Sequence, residues 1–310
     1  MNTKGTKMNT KATKMDTKAT KSRGRSWLSL LSLFVIFVSS FVIFVSAFQA
    51  PQRIVSLVPA VTEMLFAIGA GPQVVAVSSY DREPPEVRTL PRVGALLDPD
   101  VERILSIRPD LVITYGSQTD LQQQLERASI ALFDYRHAGL ADITSTIRRL
   151  GGVTGHAAQA ERTAGSIEDR LAEVRAKAAA GLRPRTLLVF GRERGALRNI
   201  YASGGRGFLH DMLEAAGGIN VFADVARESV QATTELVLAR APDVILEVRS
   251  ADIESDAEAS REAQSWSPLA SVPAVRNRRV MVLTGQGLTV PGPRVAEVVE
   301  RMFQALRRTP

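Results

Sequence analysis

Residues 99–115 read PDVERILSIRPDLVITY. In the left half, Val101, Ile104, Leu105 and Ile107 recur at helical spacing. In the right half, Leu111-Val112-Ile113 is a short apolar run rich in β-branched residues, the composition of a strand buried on both faces. Pro109 parts the two, because the residue before a proline is pushed out of the helical region. The same phrase returns at 234–248 as TELVLARAPDVILEV, offset by 133 residues (Pro109 to Pro242). In each copy a glutamate, Glu102 or Glu235, stands seven residues before the proline, and an aspartate, Asp110 or Asp243, follows it. Helix–Pro–Asp–strand also occurs in ordinary α/β chains. Two copies this far apart predict two similar lobes.

Around the first copy, strand and helix patterns alternate. Strands are expected at 54–57, 74–77 and 130–135 and helices at 61–68, 121–128 and 141–150, the last closed by Gly151-Gly152. Around the second copy, strands are expected at 186–190 and 280–283 and helices at 207–216 and 294–307, with 201–205 in a loop. Between the halves, 155–180 is the longest helical stretch and is stopped by Gly181 and Pro184. The expected fold is α/β: two lobes, each with a mainly parallel sheet flanked by helices, joined by one long rigid helix, with a ligand cleft between them. The expected boundaries are an N-terminal lobe at 51–150, a connecting helix at 153–182 and a C-terminal lobe at 183–310.

Residues 1–26 carry a polar, cationic seven-residue repeat, and 27–47 is apolar and uncharged. Together they have the layout of an export signal, cut after Ala47. Left uncut, the run from Trp27 to Phe48 is long enough to span a bilayer, giving a membrane-tethered domain. The formal charge of +7 arises entirely before residue 51, where eight bases meet one acid; the remainder is balanced, which removes the electrostatic footprint of a nucleic-acid binder. No cysteine is present, which excludes disulfides, thiolate metal sites and a lipidated cysteine.

Catalytic and metal-ligating patterns are not found. His137, His156 and His210 are far apart without ligand spacing, no GxSxG occurs, and 203–207 (SGGRG) lacks the lysine of a phosphate loop. An enzyme is therefore not expected, nor a bare-metal carrier. Tyr80, Tyr115 and Tyr201 end apparent strands or open loops, where α/β sheets gather their ligands. Tyrosine offers a broad apolar face with one polar handle, suited to a large planar or macrocyclic ligand. Glu102 and Glu235 fit the first turn of their helices, where the macrodipole favours an acid. They would also serve as matched anionic points for a two-subunit partner.

The stretches at 53–63 (RIVSLVPAVTE), 78–81 (SSYD), Pro84-Pro85, 101–104, 109–113 and 235–243 together resemble the helical-backbone class (class III) of ABC-transporter substrate-binding proteins, and within it the corrinoid carriers. The resemblance covers nearly all of 51–310. It implies capture of a small-molecule metal chelate, cobalamin or a related corrinoid, in the periplasm by a monomer, and delivery to a permease dimer without chemistry or a cofactor of its own. By position, Tyr80 matches an aromatic that touches the corrinoid. Tyr115 and Tyr201 stand where corrinoid carriers have a tryptophan and a phenylalanine. Leu96 and Ser229 replace two further cleft tryptophans, and Gln286 lies near a polar contact made there by an aspartate. Glu102 and Glu235 match the glutamates that dock on permease arginines. Fewer tryptophans, with Arg192, Arg194 and Arg198 nearby, would instead suit an anionic ligand such as a ferric siderophore or haem, with Tyr80 or Tyr115 ligating iron.

Overall fold

The computed structural model describes residues 50–249 and 255–308; the leader at 1–47 lies outside them. The N-terminal lobe is built from β1 (Ile54–Ser56), α1 (Pro59–Ala67), β2 (Val74–Val77), α2 (Val101–Ile107), β3 (Leu111–Tyr115), α3 (Thr119–Arg127), β4 (Ala131–Tyr135) and α4 (Ala141–Thr154). Its four strands form a parallel sheet in the order β2-β1-β3-β4. After α5 (Ala157–Ala179) come β5 (Arg185–Gly191), β6 (Ile200–Ser203), α6 (Phe208–Ala215), β7 (Ile219–Asn220), β8 (Ser229–Ala232), α7 (Thr234–Arg240), β9 (Val244–Arg249), α8 (Asp256–Gln264), α9 (Pro273–Arg276), β10 (Val280–Thr284) and α10 (Val295–Arg307). The second sheet runs β10-β9-β5-β6-β8, with β7 beside β5. Its β10-β9-β5 portion is parallel like the first sheet, while β6 and β8 are antiparallel additions.

The repeated phrase folds the same way twice. Each helix ends on a left-handed residue, Arg108 (φ 52°) or Ala241 (φ 44°), just before the proline. Each following aspartate accepts the backbone N–H of the arginine that leads into or opens the neighbouring strand: Asp110 from Arg53 at 2.9 Å, Asp243 from Arg185 at 3.1 Å. Each of those arginines then donates to the last turn of the helix, Arg53 to the Ile107 carbonyl at 2.6 Å and Arg185 to the Arg240 carbonyl at 2.8 Å. A guanidinium thus satisfies carbonyls that the helix end leaves unbonded. The repeat therefore extends to a partner more than fifty residues upstream in each lobe.

The first face of each sheet belongs to one shared core. Ile54, Leu111 and Ile113 of the first sheet and Leu188, Leu246 and Val248 of the second meet residues of α5 and α10 in one apolar cluster. The alternate residues Val55 and Val112, and Leu187 and Ile245, fill separate clusters behind each sheet. That division follows from the two-residue period of a strand. On α5, Ala160, Ala164, Ile167, Leu171, Val174 and Ala178 form a buried stripe at four- and three-residue intervals. Arg148 of α4 binds Glu161 and Glu168 of α5, and Arg170 of α5 holds Glu300 of α10 through two contacts of 2.9 and 2.8 Å. The helix, about 35 Å long at 1.5 Å per residue, is gripped along its length by both lobes.

Three local expectations change. The helix expected at 61–68 starts earlier, with Pro59 as the first residue of α1, a position proline takes where the helical N–H has no partner. Gly151 and Gly152 lie inside α4, which ends at Gly155 (φ 80°). A Cβ on Gly151 would sit 2.2 Å from that of Ala160, so glycine there lets α4 and α5 close on each other. Residues 201–203 are strand, not loop.

Candidate functional site

The carboxyl ends of β2, β3 and β4 lie at one end of the first sheet. After β2, Tyr80 stands 70% exposed on a turn held by Asp81, whose Oδ2 accepts the Ser78 N–H at 2.9 Å. Burial pushes the Asp81 carboxyl up from its usual range. The Ser79 N–H donates to the Gly94 carbonyl at 2.8 Å, joining this turn to the loop bearing Leu96, which is half-exposed, and Leu97, which is nearly fully so. Gly94 has φ 78°, and a Cβ on it would meet the Asp98 carbonyl at 2.1 Å, so this loop requires glycine. Gln118 then couples Leu96 to Tyr115: its Nε2 donates to the Leu96 carbonyl at 3.1 Å and its Oε1 accepts the Tyr115 N–H at 2.9 Å.

Tyr115 turns inward. Its ring meets Tyr135 edge-on at 6.0 Å; Tyr135 stacks on His137 at 6.2 Å; His137 meets Phe208 of α6 edge-on at 5.2 Å. This aromatic ladder crosses from one lobe to the other. Burial, and then the charge of Asp81, push the Tyr115 phenol up. Burial also raises Tyr135 and lowers His137, although Asp142, Glu228 and Asp211 oppose the His137 shift. His137 is therefore held toward the neutral imidazole. Sequence reasoning passed over Tyr135 and His137, although Tyr135 ends its strand as Tyr115 does.

The remaining candidate residues belong to the C-terminal lobe. Tyr201 on β6 pairs with Gly191 at the end of β5, is 42% exposed, and lies 6.4 Å from the Phe190 ring. Gln286 follows β10 and shares with Tyr80 a hollow of about 230 Å³, lined also by Pro59, Glu63, Arg82 and Arg294. Arg294 bridges the lobes there, holding Glu63 through contacts of 3.0 and 2.8 Å. The structure thus brings Tyr80 and Gln286 into one hollow and couples Leu96 to Tyr115, while Tyr201 lies beside Phe190 on the other lobe.

The three arginines expected to attract an anion are engaged by carboxylates. Arg192 is fully buried against Glu247 and Glu262, the latter at 2.9 Å, and Arg249 reaches Glu262 at 3.3 Å. Arg194 pairs with Glu258, and Arg198 with Glu193 at 2.6 Å. Arg192 is therefore closed off from an anionic ligand, and Arg194 and Arg198 each already face a carboxylate. Among the described residues no group of three or more His, Cys, Asp or Glu side chains is placed to hold a metal ion. His156 instead meets the Thr154 carbonyl at 2.9 Å, and His210 meets Asn220.

Glu102 and Glu235 are both exposed, each the second residue of its helix. Hydrogen bonds from its own backbone and from Thr233 hold the Glu235 carboxyl below the usual range.

Two α/β lobes braced by a single helix, with aromatic side chains gathered where strands end, define a bilobal binding protein. The chain belongs to the periplasmic binding protein family, whose model matches residues 54–286. It is 29% identical over 83% of its length to a substrate-binding lipoprotein of an ABC transporter from Bacillus subtilis, covering 80% of that protein. Several vitamin B12-binding proteins are also among its relatives. Among solved structures, it resembles the periplasmic vitamin B12-binding protein BtuF of Vibrio cholerae with a TM-score of 0.70 at 25% identity, covering 83% of this chain and 97% of that one. It also resembles the periplasmic heme-binding protein RhuT of Roseiflexus sp. RS-1 in apo form, with a TM-score of 0.68 at 29% identity, covering 82% and 97%.

Proposed function

We propose that the chain captures cobalamin or a related corrinoid between its lobes and delivers it to an ABC importer. The observation that carries this reading is that Tyr80, Leu96, Leu97 and Tyr201 are exposed while the arginines after β5 are each paired with a carboxylate. Such side chains suit a large, mainly apolar ring system and offer little to a polyanion. Relatives named for vitamin B12 support the same choice. Glu102 and Glu235, one on each lobe, are the points that seat the loaded protein on a permease dimer. Residues 1–47 act as the export signal, and the mature protein works as a periplasmic monomer; mass spectrometry that found them retained would favour the tethered form.

Haem is the second reading, on the likeness to RhuT and the exposed Tyr80 phenol. Tyr115 is the weaker iron ligand of the two candidates, because burial and Asp81 oppose formation of its phenolate.

Tyr80→Ala and Tyr201→Ala each weaken cyanocobalamin binding by about tenfold, the effect of removing a ring that is half-buried by ligand. Titration calorimetry reads the loss. Full affinity in both variants overturns the site.

A further inference from the structure

The repeated helices share more than a glutamate. Within the helices themselves, three positions are exposed in both copies: 102/235, 105/238 and 106/239. Two of the three hold the same residue, Glu102 with Glu235 and Leu105 with Leu238. Each leucine follows its glutamate by three residues, so the pair lies on one helix face. Leu105 is 39% exposed and Leu238 41%. Their neighbours Ile104 and Val237 are fully buried, so each lobe had its apolar anchor without spending a leucine on the surface. The flanking side chains differ between copies, Arg103 standing opposite Leu236 and Ser106 opposite Ala239.

A single exposed leucine requires no explanation. The same leucine at the same step from the same acid, on two lobes whose helices carry equivalent caps, points to a shared partner. We propose that Leu105 and Leu238 are the apolar half of a doubled docking surface. Each lobe presents one anionic and one apolar contact, and the partner is a twofold membrane permease whose two subunits each offer a cation beside an apolar recess. The glutamates govern encounter and orientation, whereas the leucines govern residence time, because buried apolar area slows dissociation while rim charge speeds association. The inference rests on the docking reading given under the proposed function.

The test uses the full mature protein loaded with cyanocobalamin and the permease dimer purified from the same cells in lipid nanodiscs. Docking is followed by surface plasmon resonance for three proteins: Leu105→Ser, Leu238→Ser, and the double change Glu102→Lys with Glu235→Lys. All keep the native melting temperature and cyanocobalamin affinity. Each leucine variant dissociates about fivefold faster, from the loss of a partly buried side chain, with little change in association rate. The glutamate variant loses association. Unchanged dissociation in both leucine variants overturns the inference. If the glutamate variant also docks like the parent, the docking reading falls with it; if only the glutamate variant fails, the reading stands without the leucines.

Discussion

Replacing Arg192 by Met lowers the melting temperature by roughly 10 °C, the equivalent of about 3–5 kcal/mol for one partner removed from a buried ion pair. The cost follows from what remains. Glu247 has no exposed side-chain surface, and its other polar contact is the Trp266 indole N–H at 2.9 Å. Without the guanidinium it is a buried carboxylate beside Trp266, whose apolar cluster also holds Leu187 and Ile245. Arg192 also donates to the Glu262 carbonyl at 2.8 Å, fastening α8 to the sheet, and Arg249 reaches the Arg192 carbonyl at 3.0 Å. Combining Arg192→Met with Glu247→Leu restores most of the lost stability, since an apolar pair of similar volume replaces both charges. Calorimetric melting measures both variants. A loss of less than about 1 kcal/mol in the single variant would mean that water reaches this network.

Reversing Glu102 and Glu235 together to Lys abolishes uptake of cyanocobalamin while leaving its affinity for the purified protein unchanged. Both carboxylates are exposed, and neither helix contributes to the lining of the hollow that holds Tyr80 and Gln286. In the docking role proposed for them, lysines placed against permease cations repel at encounter. Uptake of labelled cyanocobalamin by cells that depend on this protein, compared with the same cells lacking it, reads the effect. Normal uptake would remove the docking role from both helices.

The sequence makes the parallel framework legible because each of its signals is local. Proline, aspartate and a β-branched run mark both helix-to-strand turns within a dozen residues, and the long helix announces itself by length and by its glycine stop. The antiparallel edge escapes that reading. Ser229–Ala232 reads SVQA and alternates too briefly for a period to show, and Ile200–Ser203 sits between arginine- and glycine-rich turns. Gly151-Gly152 has the composition of a helix stop, yet its meaning depends on Ala160 across the next turn. Arg192 and Arg194 look like ligand-facing cations in sequence because their carboxylate partners, Glu247, Glu262 and Glu258, lie more than fifty residues away. One hint was available: Glu247 interrupts the apolar run of β9, and a charge in a buried strand requires a partner. Tyr80, Leu96, Tyr115, Tyr201 and Gln286 come from a resemblance and from strand ends. His137, whose ring nitrogens are buried without hydrogen-bond partners among the described residues, becomes visible only when the lobes are assembled.

Trp266 is the one tryptophan beyond the leader and is fully buried behind the second sheet, so its emission is a poor reporter of the cleft. Scanning calorimetry of the mature protein with cyanocobalamin, haem or a ferric siderophore, each in turn, reports binding directly. At a hundredfold excess over the dissociation constant, cyanocobalamin raises the melting temperature by roughly 5–10 °C, while the other two leave it unchanged. A rise with haem or the siderophore and none with cyanocobalamin would contradict the corrinoid assignment.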